Sequence, residues 1–430
     1  MVKPAEKTPA ETLWLSGIDQ MMNLATHAVH FYRPKGESNF FDPAILKEAL
    51  SKTLVSFYPM AGRLSRDHNN RIEVNCNAEG VLFVEADTNS AIEDLGDFCP
   101  SPELDKLVST VDRSGGLSSY PLLALQVTFF KCGGVSVGVS IDHYLADGDS
   151  TLHFMNIWSD VARGLDITLP PFLDRSLLRP RNPPQPVFPH VEYQLSSIGD
   201  GTQKSTKSQH DTKTLKATIF KMSREQLNVL KDKSKDQNGS SIDYTTFEVL
   251  AAHIWRCSCK ARKAQSDQET QLVFPVNGRY SRLKPSLPPG FFGNVIFPTM
   301  AIDVAGEILS KPLSYAANRV RETLKRIDDN FLRSSIDYLE LHLDRLVARG
   351  NDALSLTSFN LTITSWVGLP IYEADFGWGK PFYMGPSAIF YEGKAYIIPN
   401  STQDGNLSVA ILLQPDQVKE FEKLFYDFLG

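Results

Sequence analysis

Cysteine is scarce in this chain. Of 430 residues only Cys76, Cys99, Cys132, Cys257 and Cys259 are cysteines, an odd number without disulfide or zinc spacing. Cys257 and Cys259 form CxC rather than CxxC. A disulfide scaffold is therefore excluded, and reduced thiols in a cytoplasmic protein are expected. Long hydrophobic runs are lacking too. The longest, Tyr120 to Phe130, is broken by Gln126 and Thr128 and is too short to span a bilayer. The start, Met1 to Lys7, is too polar to read as a signal or transit peptide. Basic charge is not in excess: the net charge of -6 speaks against nucleic acid or an anionic membrane as partner. A local basic patch for an anionic co-substrate stays compatible with it. The nine histidines show no HExxH-type pairing, so no metal site is expected.

What is present fits a soluble α/β enzyme. A length of 430 residues exceeds what one core usually organises, which predicts two domains. Strands are expected at Ala28 to Tyr32, as a hairpin-like pair at Arg71 to Val74 and Gly80 to Ala86, and as a second pair at Leu122 to Lys131 and Val135 to Ile141. Helices are expected at Pro43 to Leu54 and Ser150 to Arg163. Between residues 196 and 213 apolar residues almost vanish, just after the proline-rich run Pro180 to Pro189. This reads as a linker between a domain of residues 1–195 and one of residues 214–430. The second half restarts with a strand at Lys216 to Lys221. Helices are expected at Ser223 to Lys233, Thr245 to Lys260, Ser314 to Asp328, Ser335 to Arg349 and Asp416 to Phe428. Further strands are expected at Leu361 to Val367, Ala395 to Ile398 and Leu407 to Leu412.

Two short motifs carry the chemistry. Alternating Val135, Val137, Val139 and Ile141 make a half-buried strand, and His143 stands at its end in His143-Tyr144-Leu145-Ala146-Asp147-Gly148. A histidine titrates near neutrality and can take a proton from a hydroxyl as that oxygen attacks an acyl group. Asp147, followed by Gly148, can bond the ring or the backbone and hold the turn. Local sequence alone favours a plainer reading, a strand-end histidine and a helix-capping aspartate. The second motif, Asp375-Phe376-Gly377-Trp378-Gly379, reverses that preference. By itself it is structural: Gly377 and Gly379 permit special dihedrals, Phe376 and Trp378 are core anchors, and Asp375 needs a partner if buried. Arg279 is the candidate partner. A third pattern, Gly134-Val135-Ser136-Val137-Gly138, matches the GxSxG elbow of serine hydrolases. That elbow requires a sharp turn after the serine, whereas strand alternation here continues to Ile141.

Together, HxxxDG in mid-chain and DFGWG near the end resemble the BAHD family of plant acyl-CoA-dependent acyltransferases, in its hydroxycinnamoyltransferase branch. Asn39-Phe40-Phe41-Asp42-Pro43, Phe57 to Leu64, Gln126 to Gly134, Leu287 to Gly290 and Gly293 to Phe297 extend the likeness over nearly the whole chain. The resemblance implies two chloramphenicol-acetyltransferase-like α/β domains with a channel between them. It implies acyl-CoA as co-substrate with no resident cofactor, His143 as general base, Asp147 as its structural support, and Trp366 as an indole donor to the developing oxyanion. A cytoplasmic monomer is expected.

The same comparison exposes departures. Branch members acting on shikimate or quinate have a second histidine where Tyr144 stands, and an arginine that grips the acceptor carboxylate where Gly368 stands. They present threonine, serine and tyrosine where this chain has Thr26, Ala28 and His30. An unpaired buried carboxylate costs several kcal/mol. Shikimate is therefore not the expected acceptor, and an uncharged or lipophilic alcohol is, with a hydroxycinnamoyl donor implied by resemblance. A short aliphatic donor, a hydroxyphenyllactate acceptor, a polyamine acceptor served by Asp142, and a non-catalytic relative are the alternatives. Asp149 is a further departure beside the catalytic turn.

Overall fold

The computed structural model describes residues 1–193, 215–235, 243–348 and 360–429. The expected linker at 196–213 lies outside them.

The first half is organised by a five-stranded sheet in the order Tyr383–Pro386, Ala25–Tyr32, Val135–Asp142, Leu123–Phe130, Leu82–Thr88. Its centre follows from the alternation noted above: Val135, Val137, Val139 and Ile141 all enter one buried cluster. Leu123–Phe130 and Val135–Asp142 pair antiparallel, and Gly133 takes a φ of 82° in the turn between them. A Cβ on Gly134 would lie 2.3 Å from Ile92 Cδ1, so the next residue is held to glycine by space. Helices Pro43–Ser56 and Gly148–Ala162 cover the inner face. Asp42 caps the first by accepting from the Ala44 N–H at 2.8 Å. They are joined by Trp158, fully buried, whose indole N–H donates to the Leu46 carbonyl at 3.0 Å.

One expectation fails here. Ile72–Asn75 and Leu82–Thr88 do not form a hairpin. Ile72–Asn75 is the central strand of a separate three-stranded sheet, between Thr12–Trp14 and Arg63–Arg66. Leu82–Thr88 instead runs parallel to Leu123–Phe130. Both edges of Ile72–Asn75 are occupied, and the outgoing chain is held elsewhere. The Gly80 N–H donates to Ala61 O at 2.9 Å, and Val81 exchanges backbone bonds of 2.9 and 2.8 Å with Val2.

The second half contains a six-stranded sheet: Ile296–Val304, Glu269–Asn277, Leu361–Ser365, Lys394–Pro399, Leu407–Leu413, Lys216–Met222. Its first two strands escape a sequence reading because Pro275 and Pro298 interrupt them, and the two prolines face each other in register. One face packs on helices Thr246–Ala261, Leu313–Lys325 and Pro415–Tyr426 to form the larger core. The longest of these opens with a reciprocal cap between Thr245 and Glu248.

The two halves are not separate in space. After Leu361–Ser365 the chain crosses to the first half, where Ala374, Phe376 and Trp378 join its core and Tyr383–Pro386 pairs with Ala25–Tyr32. The other face of the six-stranded sheet meets the first half through a cluster that includes Leu152, Ile371, Tyr372, Met384, Ile398 and Ala410. Phe376 packs its ring 4.6 Å from Trp158 and 5.6 Å from Phe41. Replacing Phe376 by Ala should cost about 3–5 kcal/mol, read as a lowered denaturation midpoint with an unchanged slope.

Candidate active site

His143 directly follows strand Val135–Asp142, and its N–H donates to Leu24 O at 2.9 Å. Its side chain is 9% exposed. The ring orientation is set by a residue that sequence reasoning did not single out, Asn294. The Asn294 amide nitrogen donates to Asp19 Oδ1 at 2.7 Å and to the His143 carbonyl at 2.8 Å. Both are acceptors, so the amide oxygen must face His143 Nδ1, 2.9 Å away. Nδ1 therefore carries the proton, and Nε2, which has no protein partner among the described residues, presents a lone pair. Burial lowers the His143 pKa below its ordinary value of 6.5, only partly offset by the Asp147 charge. The ring is thus a neutral base at physiological pH.

Asp147 does not touch that ring. It caps helix Gly148–Ala162 by accepting from the Ser150 N–H at 3.1 Å. Its two oxygens also receive the Arg279 guanidinium, at 2.7 and 2.8 Å. The Val295 N–H donates to it at 3.0 Å. Burial pushes the Asp147 pKa up, but Arg279 and the hydrogen bonds outweigh it and hold the carboxyl below its ordinary range. Asp147 therefore fixes the segment that carries Asn294, and Asn294 fixes His143. A Cβ added at Gly148 would meet nothing within 4 Å.

A second buried ion pair supports the far side. Arg175 and Asp19, both wholly buried, approach to 3.1 Å. Asp19 accepts from the Ser16 and Asn294 N–H groups at 2.8 and 3.0 Å, and Arg175 Nε donates to Phe292 O at 3.2 Å. Gly293 is required here, because a Cβ would sit 2.8 Å from Arg175 Nε.

The expected pairing of Arg279 with Asp375 is wrong. Arg279 belongs to Asp147. Asp375 instead accepts from the Gly377 and Gly379 N–H groups, both at 2.9 Å, closing its own turn. Those glycines take φ values of 102° and 104°. The Trp378 indole donates to Asn39 Oδ1 at 3.3 Å. The motif thus anchors the crossing segment and contributes no group to the His143 site.

Trp366 follows strand Leu361–Ser365, half-buried, with its ring 5.3 Å from Tyr396. It lies against the cluster between the halves together with Ala28 and Leu369. Thr26, Ala28 and His30 share one face of their strand, opposite Ile141, Val139 and Val137. His30 is 1% exposed, and neither ring nitrogen makes a hydrogen bond of normal geometry. Burial takes its pKa to about 4, against a smaller opposing effect from the Val137 backbone. Gly368 sits in an exposed turn with φ 86° and open space around its Cβ position.

The other departures fall away from this wall. Tyr144 is packed in the first-half core. Asp142 forms a 2.8 Å ion pair with Arg113 and lines a cavity of about 150 Å³ with Ala25, His27 and Ser140. Burial lifts its pKa to about 6, with Arg113 opposing. Paired in this way, Asp142 offers no free carboxylate to a polyamine. Asp149 accepts from Asn277 Nδ2 and from the Tyr280 hydroxyl, both at 2.9 Å. Ser136 is fully buried inside its strand, which removes the hydrolase elbow.

Asn294, tied to both buried ion pairs, thus orients a buried, neutral histidine in a two-part α/β fold. The profile of the Transferase family matches residues 1–428. The shikimate O-hydroxycinnamoyltransferase of Nicotiana tabacum is 54% identical over 430 residues, covering 100% of this chain and 98% of that protein. The rosmarinate synthase of Plectranthus scutellarioides is 49% identical over 434 residues, covering 99% and 98%. Among solved structures, F. graminearum TRI101 in complex with coenzyme A and deoxynivalenol superposes with a TM-score of 0.78 at 19% identity, covering 95% of this chain and 96% of that one. The chain belongs to this Transferase family, the BAHD acyltransferases. It is an acyl-CoA-dependent acyltransferase with the two-domain chloramphenicol-acetyltransferase-like α/β fold. No helix among the described residues is long and apolar enough to cross a membrane, and no metal-binding cluster occurs among them.

Replacing Arg279 by Met leaves the Asp147 charge buried and alone, which should cost about 3–5 kcal/mol, read as a lowered melting temperature. Because only the neutral ring accepts a proton, the lowered His143 pKa should place the acid limb of kcat/KM below pH 6.5. An acid limb at or above 6.5 would contradict the burial of this ring.

Proposed function

We propose that the chain transfers a hydroxycinnamoyl group from coenzyme A to a hydroxyl of a plant specialised metabolite, with a lipophilic acceptor rather than shikimate. The observation that carries the reaction is the Asn294-fixed tautomer, which leaves His143 Nε2 free beside the junction of the two halves. Nε2 takes the proton of the acceptor hydroxyl as its oxygen adds to the thioester carbonyl. The Trp366 indole N–H stabilises the resulting oxyanion. Collapse breaks the carbon–sulfur bond, and His143 returns the proton to the departing thiolate to give free coenzyme A. Asp147 holds the site and relays no proton.

The acceptor reading rests on Ala28, His30 and Gly368 standing where the relatives carry polar groups, and on the apolar cluster of Leu152, Ile371 and Met384 against which Ala28 and Trp366 pack. A polyhydroxylated ring would leave hydroxyls there without partners, at about 1–3 kcal/mol each. The hydroxycinnamoyl donor rests on the likeness to the hydroxycinnamoyltransferase of Nicotiana tabacum. In this reading, residues 1–195 and 214–430 are two domains, the second lending Ala374 to Pro386 to the core and sheet of the first, and they act as a cytoplasmic monomer with acyl-CoA as co-substrate and no resident cofactor.

Thiol release from 4-coumaroyl-CoA should be supported by lipophilic alcohols and not by shikimate, and should fall by about 10²–10⁴-fold in His143→Ala. Efficient turnover of shikimate would overturn the acceptor, and undiminished release in the variant would overturn the base.

A further inference from the structure

Lys394 opens strand Lys394–Pro399 at the centre of the six-stranded sheet. Its register partner on one side is Thr362, and on the other side the next residue, Ala395, stands opposite Ile411. Alternation puts its side chain on the face of Tyr396 and Ile398, which is turned toward the first half and carries Trp366. It is not on the face packed against the helices. The amine donates to Thr364 Oγ1 and stands 4.9 Å from the centre of the Tyr396 ring, which itself lies 5.3 Å from Trp366. A buried ammonium ordinarily has a carboxylate partner. Lys394 has none among the described residues. Glu392, two positions earlier, is engaged by Arg262 and Gln414. The side chain still keeps partial contact with solvent, and burial alone pulls its pKa down to about 7. A lysine kept in such a place without a counter-charge is poorly explained by stability, because it costs free energy in the empty protein.

We propose that Lys394 is a binding residue of the cleft between the halves, taking an acidic group, carboxyl or phenol, at the end of the substrate remote from the reacting oxygen. Trp366 and Tyr396 would lie along the aromatic body of that substrate, with the amine at its tip. This deepens the acyltransferase reading and rests on it for the assignment of Trp366 to the reacting end. Where the acceptor supplies the group, that acceptor is apolar over most of its length and closed by one acidic group. The acid can come from either substrate, and the test separates the two.

The test is equilibrium binding by calorimetry, which needs no turnover. One arm compares 4-hydroxyphenyllactate with its methyl ester, and the other compares 4-coumaroyl-CoA with cinnamoyl-CoA. The protein should favour the acidic member by about tenfold or more in the arm that supplies the group. Lys394→Met should abolish that preference without lowering the melting temperature, since no anion is left unpaired. A preference in the first arm assigns the acceptor carboxyl, and one in the second assigns the donor phenol. The absence of preference in both arms, its survival in Lys394→Met, or a clear loss of stability in that variant would overturn the proposal. Because the thiol-release assay is separate, an inactive protein that still discriminates in calorimetry would fail the functional reading alone.

Discussion

The ion pair between Asp147 and Arg279 is the constraint on which the site depends. It joins the turn after strand Val135–Asp142 to the segment that follows strand Glu269–Asn277 in the second half, with both groups almost entirely out of solvent. Such a pair is weak evidence for net stability, because desolvation offsets much of the attraction. Its value here is positional. Asp147 has one carboxylate and uses it four ways: on Arg279 twice, on the helix cap and on the Val295 N–H. The backbone on either side of Asn294 is then fixed, by Asp147 at Val295 and by Arg175 against Gly293. The amide can face only one way, and the histidine tautomer follows. The proton position on His143 is set by geometry two residues removed from its own ring.

Much of this architecture was legible in the chain. The alternation from Val135 to Ile141 marked the central strand, and Leu152, Met155 and Trp158 marked the helix after it, because burial of one face leaves a periodic imprint. The linked motifs located His143 and Asp147. Less legible were pairings between distant segments. Arg279 was assigned to the wrong aspartate since nothing local distinguishes a carboxylate satisfied by its own turn from one that needs a cation. Asn294 lay within a recognised stretch, yet its role depends on three acceptors and donors brought from residues 19, 143 and 144. Lys394 stands just before the strand expected at Ala395 to Ile398 and carries no local signal; only the register places it on the face of Tyr396 and Ile398.

The departures near the catalytic turn divide in the same way. Tyr144 and Asp142 adjoin His143 in sequence, but the strand's alternation and the turn send one into the core and the other to Arg113. Ala28, remote in sequence but on the strand next to Val135–Asp142 in the sheet, packs against the apolar cluster of Leu152 and Met384. Sequence neighbours of a catalytic residue are therefore poor guides to a pocket wall, whereas strand parity is a good one.

The edge strand Tyr383–Pro386 has a consequence for synthesis. The sheet of the first half is finished only by residues encoded near the end of the chain, and three of its core side chains, Ala374, Phe376 and Trp378, arrive with them. While the ribosome is still translating the second half, strand Ala25–Tyr32 presents an unpaired edge and the core beneath it has a gap. Folding of the first half must therefore wait for, or be revised by, the last segment to emerge. For that interval the nascent protein offers a β-edge open to intermolecular pairing, so its yield in a cell depends on how long the chain remains incomplete.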